Sequence, residues 1–295
     1  MKLSVATAKW PIGRPHDFAA FAACVRAQVQ HVAEAGAHIA VLPEYLSLEL
    51  VTTFAPAISA DLHASLAAIQ RHRDQWLDFF TTLARDTGMY LVAGTFLLDT
   101  GHGRYRNRAD LFTPQGAHGF QDKLQLTAFE KAAGVIEAGD ALKVFDLHGV
   151  RTGIPVCYDS EFPLTVRAQC DAGARLLLVP SCTDTAAGAT RVRVGCMARA
   201  LENRCFVAQA VTAGEAPWSP ALDTNTGEAS IYAPMDVDLP PDGILAQTRG
   251  DEIWAFAHLD FAALEASRAH AQVAVDRDWP AQHRPQIATA RIEHI

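Results

Sequence analysis

The stretch GIPVCYDSEFP, residues 153–163, joins an apolar run to a polar turn through a single cysteine. Arg151 to Val156 ahead of it reads as a strand, paired across His148-Gly149 with Leu142 to Leu147. Phe162 to Ala172 behind it carries helical spacing. A strand that turns into a helix, with a thiol at the junction, is a unit of an α/β layer protein.

The same alternation extends in both directions. Lys2 to Ala8 is a strand, and from Asp17 the period changes: Phe18, Phe21, Val25, Val29 and Val32 recur at helical spacing until Gly36. Ile39 to Leu42 is a buried strand that stops at Pro43-Glu44, and Leu62 to Thr87 reads as one long helix ending at Gly88. Strands follow at Met89 to Thr95, Tyr105 to Phe112 and Gly116 to Lys123. After the central turn come a strand at Arg175 to Val179, a helix at Ala189 to Asn203 and a strand at Cys205 to Val211. Strands near Ala229 to Tyr232 and Glu252 to His258 precede a helix from Phe261. The last twenty residues, with Trp279, Pro280 and Pro285, read as an extended tail lying on the domain or on a second subunit. The expected organisation is one domain over residues 1–265 and a tail over 266–295.

Composition narrows the function. Twenty-five Lys+Arg against 33 Asp+Glu leave a formal charge of −8, and no basic block interrupts it, which argues against nucleic acid or an anionic membrane as partner. No run of eighteen apolar residues and no signal-peptide pattern is visible. The six cysteines form no CxxC pair and no metal-type spacing with histidine, so the expectation is a reduced cytoplasmic protein without a metal site.

Three residues stand at strand ends, where the loops of an α/β sheet converge: Glu44, Lys123 and Cys157. Singly, each has an ordinary reading, as a loop acid, a surface charge and a small buried hydrophobe. Together they are a possible chemistry. A thiol attacks a carbonyl as thiolate, and a helix beginning at Cys157 would favour that form. A carboxylate with a raised pKa can serve as base, and an ammonium with the Tyr158 backbone N–H can hold an oxyanion.

The contexts of these residues, LPEY, DKLQLTAFE and GIPVCYDSEFP, resemble those of the nitrilase superfamily of carbon–nitrogen hydrolases. GAHIAVLPE, YRNRADLFTPQG, GARLLLVPS and MARALENRCFVAQA agree in order, so the resemblance spans roughly residues 1–260. It implies a four-layer αββα sandwich that pairs as a homodimer through the helices at about 162–172 and 189–203. It also implies Glu44 as general base and acid, Lys123 as oxyanion stabiliser and Cys157 as nucleophile, with Glu130 orienting the substrate or the lysine. The reaction implied is hydrolysis of a small-molecule amide through a thioester, which requires no cofactor.

Within the resemblance, Cys-Tyr-Asp favours amides over nitriles, while carbamoyl amines and nitriles remain alternatives. Relatives that grip an anionic substrate carry arginine at this turn, where this chain has Ser160-Glu161. The substrate is therefore expected to be neutral or to bear an amine that Glu161 can pair with. Glu161 can equally be a first-turn acid that complements a helix dipole. Three other readings stay open: an idle, assembly-only sandwich, an acyl transferase, and a redox-sensing cysteine protein, the last lacking an evident resolving partner for Cys157.

Overall fold

A computed structural model describes residues 1–293 of the chain. The first half-sheet is built from β1 (Lys2–Pro11), β2 (Ile39–Leu42), β3 (Tyr90–Gly101), β4 (Arg104–Phe112) and β5 (His118–Asp122), with the short β6 (Ile136–Glu137) beside β4. The second contains β7 (Val144–Leu147), β8 (Val150–Gly153), β9 (Leu176–Ser181) and β10 (Phe206–Glu215). β11 (Thr224–Asn225) and β12 (Ser230–Tyr232) pair with β10, and β13 (Ile244–Gln247) pairs with β12. The order β5-β4-β3-β2-β1-β10-β9-β8-β7 makes β1 the hinge strand, parallel to both β2 and β10, while β14 (Trp254–Asp260) runs antiparallel along it.

The layers follow from the alternation of side chains along the strands. Val5, Ile39, Val41 and Val92 point between the sheets, into a core shared with Leu176, Leu178 and Val207. Their neighbours Ala6, Ala40, Leu42, Leu91 and Ala93 point outward, into a second core with Phe21, Val25, Trp76 and Phe80. That outer core is covered by α1 (Phe18–Glu34) and, after the short helices α2 (Pro56–Ser59) and α3 (Leu62–Ile69), by α4 (Arg73–Thr87). After the one-and-a-half-turn α5 (Ala128–Ala133), the other flank is covered by α6 (Pro163–Asp171) and α7 (Ala186–Asn203), through Val166, Val192 and Ala200. The result is an αββα sandwich.

The expected single helix at 62–87 is broken. A 3₁₀ turn at Gln70–His72 divides it, because the Gln70 side chain donates to the Leu66 and Leu97 carbonyls and accepts from the Asp99 N–H. Those bonds tie the break to β3 and let α3 and α4 pack in different directions. Strand β8 ends at Gly153 rather than at Val156, so three extended residues separate the sheet from the cysteine.

Beyond α8 (Phe261–Ala266), the chain returns over its own second flank. The short α9 (Val275–Asp278) lies against α7, and the Arg167 guanidinium of α6 sits 4.9 Å over the Trp279 ring. Among the described residues, no helix is long and apolar enough to cross a membrane.

Candidate active site

Glu44, Lys123 and Cys157 meet at one cavity of about 370 Å³, open between the β2, β5 and β8 ends of the two sheets. Each is held by a different local device. Glu44 follows Pro43 at the end of β2, and its loop presses so closely on β3 that a Cβ on Gly94 would fall 2.1 Å from the Pro43 carbonyl oxygen. The next residue, Tyr45, takes a left-handed backbone (φ 63°) and donates its N–H to Thr95 Oγ1. Lys123 is the first residue past β5, its backbone tied to the Asn107 carbonyl of β4.

Cys157 stands at the start of a 3₁₀ turn, Cys157–Glu161, with φ 47°, which lifts its side chain off the sheet. This differs from the expected helix start, since α6 begins only at Pro163. Asp159 fixes the turn. Its carboxylate accepts from the Val156 N–H at 3.1 Å and, across the cavity floor, from the Leu124 and Gln125 N–H groups at 3.1 and 2.7 Å. One side chain therefore ties the backbone following Lys123 to the turn that carries Cys157.

The Lys123 ammonium is 2.8 Å from Glu44 Oε1 and 2.8 Å from Glu130 Oε2. Asn107 Nδ2 spans the same two carboxylates, at 2.7 Å from Glu44 and 3.0 Å from Glu130. Glu44 Oε2 accepts from the Cys182 N–H, and the Cys157 thiol lies between Glu44 and the Cys182 carbonyl, 3.6 Å from the latter. Glu44, Lys123, Glu130 and Cys157 are all buried.

Electrostatics divides the two acids. Burial raises the Glu44 pKa, and the Glu130 charge adds to this while Lys123 opposes it. Burial alone would raise Glu130 too, but Lys123 and bonds from Thr127 and Asn107 outweigh it and hold Glu130 low. Lys123 is kept charged: burial pushes it down, and the two carboxylates carry it well above the ordinary lysine value. Burial and the Glu44 charge push Cys157 well above the usual thiol range, with Lys123 acting in the other direction. Burial thus favours the protonated thiol over the thiolate, and the helix expected to favour the thiolate begins only at Pro163. The thiol proton must leave as the sulfur attacks, and an acid with raised affinity for protons lies beside it.

A family profile described as carbon-nitrogen hydrolase matches residues 4–239. The chain belongs to the carbon–nitrogen hydrolase family. The probable hydrolase YhcX of Bacillus subtilis is 30% identical over 259 residues, covering 88% of this chain and 50% of YhcX, so the chain spans about half that relative's length. The omega-amidase NIT2-A of Xenopus laevis is 23% identical over 253 residues, 81% of this chain and 83% of that protein. Among solved structures, Saccharomyces cerevisiae Nit3, a member of branch 10 of the nitrilase superfamily, superposes with a TM-score of 0.73 at 20% identity, over 94% of this chain and 96% of Nit3.

In this carbon–nitrogen hydrolase, five of the six residues singled out from sequence line or support one cavity, and the sixth, Glu130, stands directly behind it. Tyr158 and Glu161 are on its wall. Glu130 is fully buried as the second of the two carboxylates on Lys123, and it also closes a capping box with Thr127 at the start of α5. Glu161 faces Arg191 of α7 at 3.7 Å, a cation that nothing local in the sequence pairs with it. Asn107, Asp159 and Cys182 were not singled out, although Asn107 and Asp159 lie inside quoted motifs. The one available signal was a buried-strand Asn in YRNRADLF, where an unpaired amide would be costly. Among the described residues, no group of three or more His, Cys, Asp or Glu side chains converges as a metal site would require.

Proposed function

We propose that the chain hydrolyses a carbon–nitrogen bond of a small amide through a Cys157 thioester. The observation that carries this reading is the meeting of the Cys157 thiol, the Glu44 carboxylate and the Lys123 ammonium in one small cavity, with Lys123 Nζ 2.8 Å from Glu44 Oε1. Glu44 takes the thiol proton as Cys157 attacks the amide carbon. The oxyanion is received by the third N–H of Lys123, whose other two face Glu44 and Glu130, and by the Tyr158 backbone N–H. Glu44 returns the proton to the departing nitrogen, the C–N bond breaks, and an acyl-thioester remains. Water, giving its proton to Glu44, then attacks the thioester and releases the acid and the thiol.

Membership of the family and the omega-amidase relative favour amides as the substrate class. The chain also pairs with a second copy through α6 and α7, whose outer faces expose Leu164 and Val194; sedimentation at several concentrations tests this. The chemistry is tested by ammonia release from a panel of amides. Cys157→Ala should abolish it while circular dichroism stays unchanged, and a Glu44→Gln variant should lose turnover at acylation, with no acyl adduct visible by mass spectrometry. Undiminished turnover in Cys157→Ala would overturn the assignment.

A further inference from the structure

Outside the Glu44–Lys123–Cys157 cluster, the cavity wall carries three carboxylates, Glu161, Asp184 and Asp223, against one cation, Arg191. Glu161 is the one placed for recognition. It ends the same turn that begins with Cys157, and its side chain is 21% exposed. Among the described residues no donor makes a hydrogen bond to its carboxylate, and burial raises its pKa while Arg191 acts the other way. Arg191 answers it poorly. The pair is 3.7 Å apart and the Arg191 side chain is 62% exposed, so their attraction is screened and weak.

Resting on the thioester reading above, we infer that this site selects amides whose acyl chain bears a protonated amine, bound by Glu161. An ammonium arriving in the half-buried cavity makes a shorter, charge-assisted bond than the guanidinium does. Arg191, on an exposed helix face, is free to turn into solvent. Four steps along a 3₁₀ turn advance about 8 Å, which suits a carbonyl and an ammonium separated by about four methylenes. A cation on the acyl side stays bound through both halves of the reaction, since the acyl group remains on Cys157. A substrate carboxylate reaching for Arg191 would instead lie against Glu161, with Asp184 and Asp223 on the same cavity wall, and like charges in a partly dry site are repelled. Asp184 and Asp223 are exposed and contribute field rather than contact.

The experiment compares kcat/KM for δ-aminovaleramide, its neutral isostere hexanamide, and glutaric monoamide. The expected order is cation, neutral, anion, with a cation-to-neutral ratio of about tenfold or more that shrinks in high salt and collapses in Glu161→Gln. Preference for the monoamide acid, or a ratio that survives Glu161→Gln, overturns the inference. The Cys157→Ala protein, titrated calorimetrically with the same three amides, separates the two readings. If the wild type turns over none of them yet the variant binds the ammonium amide most tightly, the hydrolase reading falls and the selectivity stands. Equal or weaker binding of the ammonium amide removes the selectivity whatever the turnover.

Discussion

The Lys123 ammonium lies 2.8 Å from Glu130 Oε2, and Glu130 is saturated by other donors. Tyr45 Oη and Asn107 Nδ2 donate to its Oε1, and the Thr127 N–H and hydroxyl donate to its Oε2. A carboxylate so surrounded keeps its charge and acts as the standing counter-ion of Lys123. The second acid on the lysine, Glu44, is thereby released to gain and lose a proton without leaving an uncompensated ammonium. Two carboxylates on one lysine are given different roles by their surroundings.

Replacing Glu130 by Gln tests that division. The negative charge that helps raise Glu44 is removed, so the Glu44 pKa falls and the acid limb of kcat/KM moves to lower pH. Glu44, now the only anion on Lys123, becomes a poorer proton carrier, and kcat should drop by about 10–100-fold, the range of one general acid–base contribution. A pH–rate profile with an unmoved acid limb would show that Glu130 serves only to cap α5.

Gly94→Ala probes how the Glu44 loop is seated. Gly94 has φ 68°, and an added Cβ would meet the Pro43 carbonyl oxygen at 2.1 Å. The left-handed backbone costs an alanine about 1–2 kcal/mol, and the clash must be relieved by moving the Pro43-Glu44 peptide. The expected outcome is a loss of at least about 2 kcal/mol of stability together with reduced kcat. Denaturant titration and kinetics on the same preparation check both, and a stable, fully active variant would contradict the tight seating.

Asp159→Asn addresses the tie between the Lys123 loop and the Cys157 turn. Burial raises the Asp159 pKa to about 6, against the lowering influence of Gln125, Lys123, Val156 and Leu124. Only the ionised carboxylate can accept all of these N–H groups, so turnover should weaken as pH falls through that value. Stability runs the other way. A folded pKa above the ordinary 3.8 means that the group's stabilising contribution is present at low pH and is lost as pH rises through about 6. In Asp159→Asn, kcat should fall by about tenfold near neutral pH with KM little changed, and the kcat loss should diminish toward about pH 5, where the parent is itself protonated. A uniform loss across pH would mark a purely structural role.

The strand ends bearing Glu44 and Cys157 were legible because each closes a short apolar run, a pattern contained within about ten positions, whereas Lys123 follows the polar strand HGFQD and stood out through its DKLQLTAFE context. What escaped is non-local. Asp159 in a turn looks like any turn-former, and its partners Leu124 and Gln125 lie 35 and 34 positions away. Gln70 breaks a well-patterned helix through Leu97 and Asp99, and Arg191 meets Glu161 from another layer. The expected helix start at Cys157 failed for a related reason: a 3₁₀ turn intervenes before α6, so the field of that helix does not act at the thiol, and burial favours its protonated form.

Glu49 provides a stability test independent of the chemistry. It sits in the 3₁₀ segment Leu46–Thr53, buried, and its Oε1 accepts from Trp10 Nε1 at 2.8 Å and from the Gly13 N–H at 2.6 Å. Burial raises its pKa from 4.5 to about 7, outweighing both bonds. The unfolded chain ionises this group at its ordinary value, so the folded protein binds the extra proton between 4.5 and about 7. The corresponding stabilisation is complete below 4.5 and is lost as pH rises through about 7. Its size is about 3 kcal/mol, or roughly 5–10 °C in Tm for a chain of this size. Glutamine keeps the carbonyl that receives the Trp10 and Gly13 donors but cannot titrate. Melting followed from about pH 5 to about pH 8 should therefore show a steeper fall in Tm for the parent than for Glu49→Gln, with other ionisable groups cancelling between the two proteins. Parallel Tm curves would mean that Glu49 is ionised in the fold and that its environment is wetter than its burial indicates.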